Sequence, residues 1–222
     1  MDLLVLILQG VIVAATPLVF ASVGELVVER AGVLNLGVEG MMILGAIAGF
    51  AVTLGTESHM AGVLAAAVAG AIAASLFAVL TQMLLSNQVA TGLALTIFGL
   101  GLSALIGQGY SGESTDSLAK MSIPLLSDIP FVGPVLFQHD PLVYLSVGLI
   151  AGVYWFLNKT RAGLILRAVG ENHDAAHAIG YGVVKVRFAA LLFGGACAGI
   201  GGAYLSIVQT PLWVENMTAG RG

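Results

Sequence analysis

Six long apolar runs, divided by short polar punctuation, set the pattern of this 222-residue chain. They cover approximately Leu3–Val23, Leu36–Leu54, Ala61–Leu85, Val89–Gln108, Leu142–Leu157 and Phe188–Val208. A helix rises 1.5 Å per residue, so about 20 residues cross the hydrocarbon of a bilayer. In lipid a spanning backbone must satisfy its own polar groups, which predicts helices. The expected fold class is an all-α polytopic membrane protein, with residues 1–222 forming one transmembrane domain.

Small residues recur every four positions within the runs: Gly62, Ala66, Gly70 and Ala74; Gly45 and Gly49; Gly99, Ser103 and Gly107; Gly195 and Gly199. Helices in lipid associate by close packing, so these stripes predict buried helix–helix faces. The pattern breaks after the first run. From Glu25 to Gly40, three carboxylates (Glu25, Glu29, Glu39) and Arg30 interleave with apolar residues, and Gly32, Gly37 and Gly40 permit close approach or a break. An ionisable group at membrane depth must face a partner or a water-filled cavity. Glu25–Gly40 is therefore expected to be an interrupted or re-entrant segment.

Composition reinforces the membrane assignment. Hydrophobic residues make up 58% of the chain and charged residues 9%, against about 25% charged in soluble domains. No Asp, Glu, Lys or Arg occurs from Ser58 to Gly112. There is no basic stripe for nucleic acid. Cys197 is the single cysteine, so no intrachain disulfide can form. The start, Met1-Asp2-Leu3, lacks the basic region of a secretory signal and is expected to open a retained span.

Charge placement orients the spans. Residues 159–187 carry five of the eight Lys/Arg (Lys159, Arg161, Arg167, Lys185, Arg187), which predicts a cytoplasmic loop. Residues 110–141 then form an external loop containing Pro124, Asp128 and Pro130, and the N-terminus lies outside. Counted this way, Arg30 joins the five inside, while Lys120 and Arg221 fall outside. Within the cytoplasmic loop, Asn172 is placed to cap a short helix, Asp174 to occupy its first turn and Gly180 to end it.

Three segments resemble a known group. Glu29-Arg30-Ala31-Gly32-Val33-Leu34-Asn35-Leu36-Gly37-Val38-Glu39-Gly40-Met41-Met42 resembles the signature region of ABC importer permeases for nucleosides and simple sugars, within the ribose/branched-chain amino acid permease superfamily. Leu166–Asn172, followed by Ala175-Ala176 and Gly180–Val183, is similar to their cytoplasmic coupling segment. Asn216–Gly222 is similar to a stretch that precedes a further span in that group. The chain stops directly after it, so a fragment or a C-terminally truncated chain is expected.

The resemblance implies a permease subunit that forms the translocation path of an ATP-driven importer. No Gly-rich nucleotide loop ending in Gly-Lys-Ser/Thr occurs, so ATP hydrolysis is expected on cytosolic ATPase subunits and the chain itself is not expected to be an enzyme. Other implied partners are a second permease subunit, the same or paralogous, and an external solute-binding protein. The setting would be a bacterial-type cytoplasmic membrane. Glu171, Asn172, Asp174, Ala175, Ala176, Ile179 and Gly180 are the candidate ATPase-coupling residues. Asn35, Glu39, Gln88, Thr91 and Thr96 are candidates for the translocation path, Asn35 and Glu39 foremost, because one helical turn apart they would share a face. They could equally brace the broken helix.

Two other chemistries are weighed. Gly109-Tyr110-Ser111-Gly112 has a serine-hydrolase form, but His59, His139, His173 and His177 all fall in loops or at span edges. His173 and His177 share the i, i+4 spacing of metal ligands without an evident third ligand, so neither metal nor cofactor is expected. The alternative function is a secondary transporter or channel for a small polar solute. It would also use broken helices, but it would need no ATPase.

Overall fold

A computed structural model describes residues 2–122 and 132–222. Pro124, Asp128 and Pro130 of the expected external loop lie outside the described residues. The elements are α1 (Asp2–Arg30), α2 (Val38–Thr56), α3 (His59–Ala78), α4 (Gln88–Gly107), β1 (Met121–Ser122), α5 (Val132–Phe137), β2 (Gln138–His139), α6 (Pro141–Lys159), α7 (Arg161–Glu171), α8 (His173–Ala178) and α9 (Val183–Ala203). π-helical turns extend α3 over Val79–Met83 and α9 over Tyr204–Gln209. Among the described residues six helices are long and apolar enough to cross a membrane, matching the six runs read from the sequence.

The boundaries differ at two informative places. α1 does not stop at Val23 but continues to Arg30. Gly24 and Val28 pack against Gly194 of α9, while Glu25 and Glu29, one turn apart, line a cavity on another side. The interleaved charges thus belong to a helix with a buried edge, and the interruption shrinks from Glu25–Gly40 to residues 31–37. Likewise, α9 starts at Val183 and takes in Lys185 and Arg187, so the basic loop consists of α7, α8 and the first turns of α9.

α2, α3 and α9 form the centre of the bundle, and the small-residue stripes meet there. A Cβ on Gly45 would collide with the backbone of Gly199, and one on Gly199 with the carbonyl of Ala66. Gly70 and Gly195 exclude each other's side chains in the same way. Gly99 of α4 lies against Gly40 of α2, where an added Cβ would come within 2.7 Å of backbone. Helix backbones approach this closely only where side chains are absent.

α1 and α6 run parallel, with Phe20 near Leu142 and Val143 at one end and Val27 and Ala31 near Val153 and Leu157 at the other. Asp140 caps α6 through the amides of Leu142 and Val143 at 3.0 and 3.2 Å. Its second oxygen accepts from the Tyr204 hydroxyl at 2.9 Å, and both residues are buried. This bond ties the start of α6 to the π turn of α9. Beyond that turn the chain folds back across α2. Trp213 packs with Ile43, Ile47 and Phe50, and residues 218–222 reach Glu39.

Candidate functional site

The connector between α1 and α2 is short, extended and held from every side. Ala31, Val33, Asn35 and Gly37 are buried while Gly32, Leu34 and Leu36 are exposed, the two-residue alternation of extended backbone. Gly32 turns the chain with φ +78°, a conformation that favours glycine. Asn35 then lies beside Glu25, five residues before the end of α1 and so about 7 Å back along its axis. The chain therefore re-enters the bundle before α2 begins.

Asn35 is the pivot of this connector. Its backbone N–H and its side-chain Nδ2 donate to the two oxygens of Glu25 at 3.3 and 3.4 Å. Its Oδ1 accepts from the Gly37 amide at 3.0 Å. The side chain of Gln88 accepts from the Leu34 amide at 2.8 Å, and the Thr96 hydroxyl donates to the Leu36 carbonyl at 3.2 Å. These bonds supply backbone groups that have no helical partner, as buried irregular backbone requires.

Asn35 precedes the first residue of α2, so it does not share a helical face with Glu39, and that expectation is corrected. Glu39 turns elsewhere. Its Oε1 accepts from the Thr218 hydroxyl and, at 2.9 Å, from the Gly220 amide, and its Oε2 accepts from the Gly222 amide. Two of the three motif segments thus meet at one carboxylate. Thr91 stands apart from both groups, its hydroxyl 2.9 Å from that of Ser86 at the turn before α4.

A cavity of about 410 Å³ opens beside the connector, lined by Glu25, Glu29, Asn35, Leu36 and Arg221 among others. Arg221 also donates to Gln209 at 3.3 Å. Counting spans put Arg221 beyond the outer end of the last helix. The folded-back C-terminal segment instead places it, exposed, between Gln209 and the Glu25–Asn35 cavity.

α7 and the first turns of α9 abut the same connector, and α8 joins them. Gly170 of α7 packs on the Arg30 carbonyl and on Gly32, leaving no room for a Cβ. Arg187 donates from Nε to the Ala31 carbonyl at 3.1 Å. Asn172 caps α8 by accepting from the Ala175 amide at 2.9 Å, and Asp174 sits in the first turn. Gly180 closes the segment at φ +94°. Glu171, Asn172, Asp174 and Ala175 are exposed, whereas Ala176 is 2% exposed and faces the protein. Ile179, 72% exposed, is the apolar group that stands out.

The sequence reading missed Glu25 as the partner of Asn35 and Arg187 as a strut. Arg187 is 156 positions from Ala31, and Glu25 and Asn35, ten apart, meet only because the connector doubles back on α1, so neither bond leaves a local pattern.

Residues 7–222 match the family described as branched-chain amino acid transport system / permease component. A Haloferax volcanii protein provisionally named as a glucose ABC transporter permease, TsgC13, is 41% identical, covering 97% of this chain and 67% of the relative. The nucleoside ABC transporter permease NupC of Lactococcus lactis is 31% identical, covering 98% of this chain and 72% of the relative. The guanosine ABC transporter permease NupQ of Bacillus subtilis is 30% identical, covering 100% of this chain and 73% of the relative. No solved structure matches significantly.

Proposed function

We propose, on the premise that this chain belongs to the family of permease components of branched-chain amino acid transport systems, that it carries nucleosides or simple sugars inward as one subunit of an ATP-driven importer. The substrate class rests on relatives named for glucose, nucleoside and guanosine transport. The chain is a multi-pass membrane protein. Its setting is a cytoplasmic membrane with α7 and α8 inside, as the cluster of five basic residues supports. ATP is hydrolysed by cytosolic ATPase subunits, and the permease itself carries no catalysis. A second permease subunit completes the path, and an external solute-binding protein delivers the solute.

One observation carries the coupling mechanism: α8 stands exposed while α7, joined to it, bears directly on the broken segment. The ATPase engages Glu171, Asn172, Asp174, Ala175, Ile179 and Gly180. Buried Ala176 lets α8 lie close to its own chain. Displacement passes through Gly170 against Gly32 and through Arg187 against Ala31. It reaches the connector and the bonds of Asn35, Gln88 and Thr96, which hold one state of the path. Glu39, beside the C-terminal segment, and Thr91, at the turn before α4, lie on the path outside this bracket. Sugar hydroxyls and the ring edges of nucleobases can exchange with such hydrogen bonds, because both offer donors and acceptors to carboxylate and amide groups.

Uptake measured in cells expressing the whole transporter tests this reading. Ile179→Asp should abolish ATP-dependent nucleoside or glucose uptake while the permease still reaches the membrane. Uptake that persists without ATP hydrolysis would instead favour a secondary transporter.

A further inference from the structure

At the end of the bundle that carries Arg30 and Lys159, a cavity of about 320 Å³ lies between α1 and α6. Its polar rim is Arg30, Arg167, Tyr154 and Asn158. Its walls are Val23, Leu26, Ile150 and Val153, which continue into the spans. Among the described residues no carboxylate pairs with either arginine. The Nε of Arg167 is buried and has no hydrogen-bond partner there. That atom is closed off from solvent as well, so the draw on a ligand is the charge of two guanidinium groups at the cavity with no carboxylate to balance them.

The level of the cavity identifies the ligand. Tyr154 and Trp155 are 66% and 61% exposed, one turn before α6 ends at Lys159. Exposed Tyr and Trp next to basic residues mark the headgroup layer of a bilayer. A guanidinium fork matches phosphate geometry, and basic pockets between spans take anionic headgroups. We propose that this cavity binds the phosphate of an anionic phospholipid, with Arg30 and Arg167 on the phosphate and the apolar walls along an acyl chain. The site lies beyond the transport path and does not depend on the identity of the solute.

Native mass spectrometry of the full chain in detergent, titrated with phosphatidylglycerol, phosphatidylcholine or inorganic phosphate, tests the assignment. Two arginines at the headgroup level predict that phosphatidylglycerol binds about 30-fold more tightly than phosphatidylcholine. The double variant Arg30→Gln with Arg167→Gln should bring the two lipids within a few-fold of each other. Arg30→Gln alone, which leaves the Arg167 guanidinium in place, should lose about 5-fold of the preference. Inorganic phosphate should not displace the lipid. Equal binding of the two lipids, an unchanged preference in Arg30→Gln, or displacement by inorganic phosphate would each overturn it.

Discussion

The packed centre and the broken segment of this protein are held together by opposite means. Where α2, α3 and α9 meet, helices touch backbone to backbone at Gly45–Gly199 and Gly70–Gly195, and the contact depends on missing side chains. Around residues 31–37, the backbone is irregular and side chains from α1, α4 and α9 supply what it lacks. Close packing has one good arrangement, because a shift of one helix drives atoms into backbone that cannot yield. A bracket of hydrogen bonds can exchange partners at modest net cost, since each is worth about 1 kcal/mol when another partner replaces it. Under the proposed coupling, the first region is the frame and the second is the moving part.

That division can be broken most severely at the frame. Gly199→Val places a branched side chain against the Ala66 carbonyl and the Gly70 backbone. A loss of about 3 kcal/mol, at the upper end for overpacking, is expected as reduced thermal stability and yield of the purified protein. A variant as stable as the parent would show that the helices separate freely, and the frame would not be one.

Glu39→Gln acts at the edge of the moving part, in the first turn of α2. It removes the charge that gathers Thr218, Gly220 and Gly222, and hydrogen bonds to charged groups are worth about 1.5–3 kcal/mol. Uptake should fall about tenfold, equivalent to about 1.4 kcal/mol, while the permease still assembles with its partners. Unchanged uptake would remove Glu39 from the path.

Tyr204→Phe tests a polar tie inside the frame. Loss of the buried bond to Asp140 should lower stability by about 1–2 kcal/mol, read as a lower melting temperature, with the affinity for solute unchanged. The smallest effect is expected at Asn172→Ala. It removes the cap of α8 at a cost of about 1 kcal/mol confined to that helix. Faster amide exchange at Ala175 and Ala176 without a change in global melting is the expected signature. A global shift would mean that α8 belongs to the frame.

These two regions were unequally legible in the sequence. The stripes Gly45/Gly49, Gly62–Ala74 and Gly195/Gly199 announced the frame because helical spacing is a local property. The cap at Asn172 and the stop at Gly180 were legible for the same reason. The break near Gly32 was visible, but its extent was not. Glu25 and Glu29 read as disruption until packing of Gly24 and Val28 on α9 showed them to lie on a continuous helix. The partners of the connector were hidden, since Arg187 and Ala31 are 156 positions apart and no local rule joins them. Arg221 was misplaced for a related reason: counting spans cannot foresee that the chain folds back across α2.

Site-directed cross-linking at position 179 tests the central claim most directly. With Ile179→Cys introduced in the assembled transporter and the buried Cys197 left in place, a heterobifunctional reagent that alkylates the thiol and acylates a lysine amine should join the permease to its ATPase subunit. The yield should change between the ATP-bound and nucleotide-free states. No cross-link in either state, in a transporter that still imports its solute at the expense of ATP, would contradict the account.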